Sequence, residues 1–192
     1  MPTVALLGGS FCPVHSGHIM VASYLAQFVD AIDEVWIVPA ASNPLKKDAY
    51  SLTDAQRLRL LEIAVEGYRR IRVCDVEMNM PRPSYTVNTL RRLEADFPDC
   101  RFMWAMGSDN WQTVDRWYRW EEIVSRGVVV YPRPGYEIDA KSIPQGSIYV
   151  EAPRIELSST FIRRGIAEGR DMRAFLPAGV WPLLKEFFVN AR

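Results

Sequence analysis

The sequence predicts an α/β fold with a mainly parallel sheet flanked by helices, and two features carry that prediction. Short apolar runs alternate along the chain with segments of helical period, and parallel strand neighbours need such helical crossovers. Composition is the second: 192 residues, 48% hydrophobic and 24% charged, suffice for a sizeable core and exclude a disordered chain.

Taken in order, TVALLG at 3–8 reads as a buried strand, 18–29 as a helix and DEVWIVPA at 33–40 as a second strand, which together make a βαβ unit. Thr53 and Asp54 open a helix over 53–70, marked by Leu58, Leu61, Ile63 and Val65, and 71–77 is a third strand. The alternation repeats with a helix at 84–97 and a strand at 101–107. Short helical material follows at about 110–125, then strands at 127–132 and 147–152. Helices are expected again at 159–168 and about 178–189, with 132–146 a surface loop. The whole of 1–192 is expected to be one domain, its C-terminal helical part from about 158 packed on the rest. In a sheet of this kind ligands sit beyond the carboxyl ends of the strands, so the residues after TVALLG and RFMWAMG are the places to search.

Charge narrows the partners. Lys and Arg number 23, as do Asp and Glu, so no global positive field draws the chain to nucleic acid or to anionic lipid. Any anion must be held locally, and the basic residues are mostly arginine, suited to bidentate phosphate or carboxylate contacts. Cys12, Cys74 and Cys100 form no CxxC pair, so neither a disulfide framework nor a cysteine-rich zinc site is read, and a cytoplasmic location is expected. No run approaches the roughly 18 apolar residues of a membrane span. A homo-oligomer is a possible assembly.

Both histidines of the chain, His15 and His18, fall in GGSFCPVHSGH at 8–18, between the first strand and the first helix. A glycine-rich turn there brings phosphate against backbone N–H groups and the positive end of a helix dipole. Neither GxxxxGK[ST] nor GxGxxG is present, so neither a P-loop nor a dinucleotide fingerprint is read. At i and i+3 the two imidazoles share one side of a helix, and Gly17 between them admits close approach to the backbone. Four readings fit such a pair: satisfied structural histidines, two ligands of a zinc site, a general base in a hydrolase, or N–H donors to a nucleoside triphosphate. HSGH lacks the HExxH pattern and no GxSxG elbow exists, which sets the second and third aside.

The stretch GGSFCPVHSGH resembles the (T/H)xGH motif of the nucleotidyltransferase superfamily, and IELSSTFIRRG at 155–165 resembles that superfamily's closing ISSTxIR motif. Ser158 or Ser159 can cap a helix there, and Arg163 one turn in can reach back to an anion. The resemblance implies a Rossmann-like nucleotidyltransferase fold. PSYTVNTL at 83–90, MGSDN at 106–110 and WYRWEE at 117–122 are further similar to segments of the bacterial nicotinate-nucleotide adenylyltransferases. Two positions depart from that family: Cys12 stands where Asp or Asn is usual, and Leu45 where His is usual in SNPLKK.

What the resemblance implies is adenylyl transfer from ATP to nicotinate mononucleotide, with Mg²⁺ carried by ATP and no dedicated metal site in the protein. His18, His15 and Arg163 would serve the reaction itself. Gly8, Gly9, Ser10, Phe11, Gly17, Lys46, Gly107, Asp109, Ser158, Ser159 and Thr160 would contact ATP and its phosphates. Tyr85, Thr86, Trp117 and Tyr118 would form the nicotinate pocket, with the Trp117 indole stacked on the charged pyridine ring. Trp111, Trp120 and Trp181 are assigned to packing. Two alternatives stand beside this reading: a nucleotidyltransferase with nicotinamide mononucleotide or phosphopantetheine as acceptor, and a homologue that binds nucleotide without turnover.

Overall fold

The longest apolar runs become the centre of the sheet, because a strand flanked on both edges and covered on both faces has no polar side to offer. The computed structural model describes residues 1–41 and 52–189. Its strands are β1 (Thr3–Gly9), β2 (Glu34–Pro39), β3 (Ile71–Val73), β4 (Arg101–Gly107), β5 (Val128–Tyr131) and β6 (Ile148–Tyr149). They form one parallel sheet in the order β3-β2-β1-β4-β5-β6. The helices are α1 (Ser16–Phe28), α2 (Asp54–Ala64), α3 (Thr86–Asp96), α4 (Ser108–Trp111), α5 (Trp120–Val124), α6 (Ser159–Ala167) and α7 (Val180–Val189). The expected Rossmann-like α/β architecture is therefore present. Strand order reverses between β1 and β4, and a crevice opens at their carboxyl ends where connections leave in opposite directions.

The two-residue period of the strands divides the interior into two apolar layers. Ala5, Leu7, Val35, Ile37, Met103, Ala105 and Val129 face Ala22 and Leu25 of α1, Leu60 and Leu61 of α2, Ile162 of α6 and Leu184 of α7. Val4, Leu6, Trp36, Val38, Phe102, Trp104, Met106, Val128 and Val130 face Val87, Leu90 and Leu93 of α3 and Ile123 of α5. The C-terminal helices thus complete the layer that α1 begins. Trp111 and Trp120 pack on the second layer and Trp181 on the first, as expected of them.

Several boundaries differ from expectation, β6 most plainly, being only Ile148–Tyr149 of the expected 147–152, and three of them have clear local reasons. Helix α1 begins at Ser16, ahead of the predicted start, because the HSG turn is itself its first turn. Helix α2 ends at Ala64, well short of residue 70, with a positive φ of 84° at Gly67 in the turn that follows. Edge strand β3 stops at Val73, and residues Val76–Asn79 wind into a 3₁₀ turn that buries Glu77. No described helix is long and apolar enough to cross a membrane.

Where β1 meets β4, Gly8 makes room for an indole: a Cβ built there would lie 2.1 Å from Cζ2 of Trp104. Gly8→Ala should therefore cost about 1–3 kcal/mol of stability by overpacking, read as a lower urea midpoint at unchanged slope. An unchanged midpoint would mean that Trp104 moves aside freely.

Candidate functional site

The two histidines are fixed by the first turn of α1. His15 is the residue before the helix, in extended conformation (φ −141°, ψ 166°), and His18 is the third residue within it. The His18 N–H donates to the His15 carbonyl at 2.9 Å, and the His15 N–H donates to Nδ1 of His18 at 3.2 Å. His18 thereby fills the place of the Glu or Gln of a capping box. A ring nitrogen that accepts carries no hydrogen, so the neutral His18 ring bears its hydrogen on Nε2 and presents that atom as a donor. The two rings stack at 3.6 Å with 20° between planes, and the Phe11 ring meets His18 edge-on at 4.7 Å.

His15 is buried, 3% exposed, and its Nδ1 has no hydrogen-bond partner among the described residues. Burial, helped by the nearby positive charge of Arg133, pushes its pKa down to about 4. His15 is neutral at pH 7. Phe11 precedes this pair with a positive φ of 44°, which is uncommon for a residue with a side chain and is held by its surroundings.

The second expected anion site meets the first. Ser158 caps α6, its Oγ accepting the Phe161 N–H at 3.2 Å. Ser159 Oγ donates to the Pro13 carbonyl at 2.8 Å, and Arg163 Nη1 donates to the Cys12 carbonyl at 2.7 Å. Arg163 Nη2 also reaches Thr160 Oγ1 at 3.2 Å. The two helix starts are therefore joined across the turn that carries the histidines. Gly17 lets them close: a Cβ there would sit 3.1 Å from both His15 Nδ1 and Ile155 Cγ2. Cys12 contributes its carbonyl to this junction while its side chain lies in the core.

At the end of β4, Gly107 admits two charged side chains, since a Cβ there would lie 2.3 Å from Asp109 Oδ1 and 2.7 Å from Arg133 Cγ. The Arg133 N–H donates to Ser108 Oγ at 2.8 Å, and the guanidinium forms no ion pair with a described carboxylate. The sequence reading missed Arg133, although the rule that ligands lie beyond strand ends applies to the loop after β5 as well. It also missed Arg57, which is fully buried and donates to the Ser10 carbonyl at 2.8 Å and to Asp54 at 2.7 Å. Lys46 lies outside the described residues. Gly9 gives its side-chain space to Phe11, whose Cζ would be 2.9 Å from a Cβ.

On the other face of the sheet, Tyr85 precedes α3 with no side-chain cap, and no acidic residue occupies the helix's first turn. Thr86 and Val87 open the helix, so their N–H groups have no intrahelical acceptor. The Tyr118 ring, 53% exposed, lies 5.0 Å from that of Tyr85, and Trp117 packs half-buried beside them. Arg91 of α3 forms a two-pronged pair with Glu122 of α5 at 2.8 and 2.6 Å, tying the two helices together. An apolar cavity of about 270 Å³ beside α1, lined by Met20, Tyr24, Phe28, Tyr68 and Ile155 among others, has no charged side chain in its wall and does not suit a nucleotide.

A paired-imidazole helix start joined to a serine-capped, arginine-bearing one, at the switch point of a 3-2-1-4-5-6 sheet, is the arrangement of a nucleotidyltransferase. A cytidylyltransferase-like family model matches residues 6–165. A probable nicotinate-nucleotide adenylyltransferase of Bacteroides fragilis is 45% identical over 177 residues, covering 92% of this chain and 88% of the relative. One of Bacteroides thetaiotaomicron is 42% identical over 183 residues, covering 95% and 90%. The chain belongs to the nicotinate-nucleotide adenylyltransferase family. Its fold matches that of Plasmodium falciparum nicotinic acid mononucleotide adenylyltransferase complexed with NaAD, with a TM-score of 0.79 at 19% identity over 99% of this chain and 96% of that one.

The lowered pKa of His15 has a consequence for stability. Between about 4 and 6.5 the unfolded chain binds a proton at His15 that the folded chain refuses, so stability falls as pH drops through that window. Spread over 2.5 pH units, the loss approaches about 3 kcal/mol. Urea titrations from pH 7 to 4 should show His15→Gln escaping this part of the decline. Parallel curves for the two proteins would contradict it.

Proposed function

We propose that this chain transfers the adenylyl group of ATP to nicotinate mononucleotide, releasing pyrophosphate and forming nicotinate adenine dinucleotide. The observation that carries the proposal is the junction between the histidine turn and α6, where Ser159 and Arg163 donate to the Pro13 and Cys12 carbonyls of the turn that leads to His15 and His18. The acceptor's phosphate oxygen attacks the α-phosphorus of ATP, so the protein supplies neither nucleophile nor base; it supplies position and charge.

In this reading His18 donates Nε2–H to the α-phosphate as negative charge gathers there. Arg163 keeps donors beyond its two intramolecular bonds for the β- and γ-phosphates, joined by Arg133. His15, neutral and stacked on His18, positions that ring and offers its own donor to the triphosphate. Ser158, Ser159, Thr160 and Gly17 line the same approach, and Asp109 beyond β4 suits ribose hydroxyls as an acceptor. Mg²⁺ carried with ATP would supply charge neutralisation for the departing pyrophosphate.

For the acceptor, the uncapped N-terminus of α3 favours an anion, and the walls formed by Tyr85, Tyr118 and Trp117 suit a flat cationic ring. A nicotinate carboxylate meets both conditions, whereas a carboxamide meets only the second. Charge-assisted hydrogen bonds exceed neutral ones by about 1–1.5 kcal/mol, which gives about tenfold preference for the acid.

Pyrophosphate release with ATP and each mononucleotide in parallel tests the proposal, nicotinate mononucleotide being the better acceptor by kcat/KM. His18→Ala should lower kcat about 10²- to 10³-fold with a smaller change in KM. Wild-type turnover in that variant would overturn the role of His18, and retained ATP binding with no turnover on either acceptor would favour a non-catalytic homologue.

A further inference from the structure

We infer that Arg57, a buried guanidinium outside the substrate-facing surface, is a further residue that positions His18, acting through the Ser10 carbonyl and the Phe11 ring. The inference rests on the adenylyl-transfer reading and assigns that site a new supporting residue.

Arg57 is fully buried and lies on α2, 47 residues from Ser10 in sequence. A guanidinium removed from water needs acceptors, and it finds Asp54 one turn earlier and the Ser10 carbonyl across the interface with the phosphate-side turn. Ser10 immediately precedes Phe11, the buried residue held at φ 44°. Anchoring the Ser10 carbonyl fixes the peptide plane from which Phe11 departs, and a residue in this region of φ stays there only when its neighbours hold it. The Phe11 ring is then wedged between the Gly9 backbone and the edge of His18. His18 is confined on its other side by the stacked His15 ring and by the hydrogen bond to Nδ1.

The result is a chain of contacts running Arg57, Ser10 carbonyl, Phe11 ring, His18. If the Ser10 carbonyl is released, the Phe11 ring loses its fixed origin, and the Nε2–H donor loses one of its three restraints. Asp54 orients Arg57 and is itself shared with Arg82, two residues before Ser84 in the acceptor loop. The pair of guanidiniums keeps the Asp54 carboxyl below its usual pKa despite partial burial. Arg57 touches no substrate in this account; its effect passes through His18.

That dependence separates positioning from simple stabilisation. Arg57→Lys keeps the charge and loses the forked geometry, and it should lower kcat about 10- to 100-fold with KM for both substrates changed less. In a His18→Ala background the same substitution should cost less than about twofold, because the residue it serves is gone. The His18 ring resonances in a ¹H–¹³C spectrum should move in Arg57→Lys, since Phe11 no longer presents the same edge. Should Arg57→Lys fail to fold, Asp54→Asn removes the orienting carboxylate and is expected to show the same split at smaller size. An equal loss of kcat in both backgrounds, or full activity with unmoved His18 resonances, would overturn the inference. If the wild-type protein releases no pyrophosphate, the adenylyl-transfer reading fails, and the His18 resonances still decide whether Arg57 holds the ring.

Discussion

Two carbonyl oxygens, those of Cys12 and Pro13, set the geometry on which this site depends. They belong to the turn leaving β1, and the groups that donate to them, Arg163 and Ser159, stand at the start of α6, about 150 residues later in the chain. A charge-assisted bond and a hydroxyl bond contribute only a few kcal/mol together. Their effect is positional. Helix α6 lies on the same face of the sheet as α1 because Ile162 is buried in the layer that contains Leu25, but burial alone leaves the helix free to slide. The bonds to Cys12 and Pro13 fix how far its first turn advances over the histidine turn. Because both acceptors are backbone groups, the junction tolerates a thiol at position 12, where the family usually has an amide or an acid.

Charge is divided in the site between groups that always carry it and groups that do not. Imidazoles stacked at 3.6 Å cannot both be cationic without strong repulsion, and burial resolves the conflict by keeping His15 neutral. The permanent positive charge comes from Arg57 beneath the turn, Arg163 on α6 and Arg133 beyond β5. Arg57 is fully buried and paired with Asp54, whereas Arg163 and Arg133 are only partly buried, so in the adenylyl-transfer reading theirs is the charge that would face a polyphosphate. Hydrogen-bond direction is then the task of His18, whose tautomer is set by a backbone N–H that only donates.

Much of this was legible in the sequence, and the misses share a cause. The strand at 101–107 was read at its true bounds and the one at 3–8 within one residue, because fully buried runs bounded by glycine or charge leave little choice. The convergence of HSGH and SSTFIR was legible as a joint pattern. Helix starts were read late or long wherever a polar turn doubled as helix: α1 begins inside HSG, which looks like a loop until its histidines are seen to cap it. Arg57 was hidden because its neighbours Leu58, Leu60 and Leu61 mark an ordinary amphipathic helix, and only the packing of α2 on the β1 turn gives a buried arginine an acceptor. Arg133 stood in a loop rich in proline and glycine, whose composition says surface; its link to Ser108 at the end of β4 is a tertiary fact.

The division of the interior into two layers explains how two substrates can be held separately and still react. Phe11, Cys12 and Val14 of the histidine turn and Ile162 of α6 belong to one layer, whereas Tyr85 and Trp117 pack on the other. In the adenylyl-transfer reading the nucleotide donor would meet elements rooted on one face of the sheet and the acceptor elements rooted on the opposite face. Only at the carboxyl edge of β1 and β4 do the faces come within reach of each other, and there the side chains shrink to glycine at Gly8, Gly9 and Gly107. The central strands of the sheet are parallel neighbours hydrogen-bonded in a fixed register. In the adenylyl-transfer reading that register would set the separation between the two groups of side chains, and with it the approach of the attacking phosphate oxygen to the α-phosphorus.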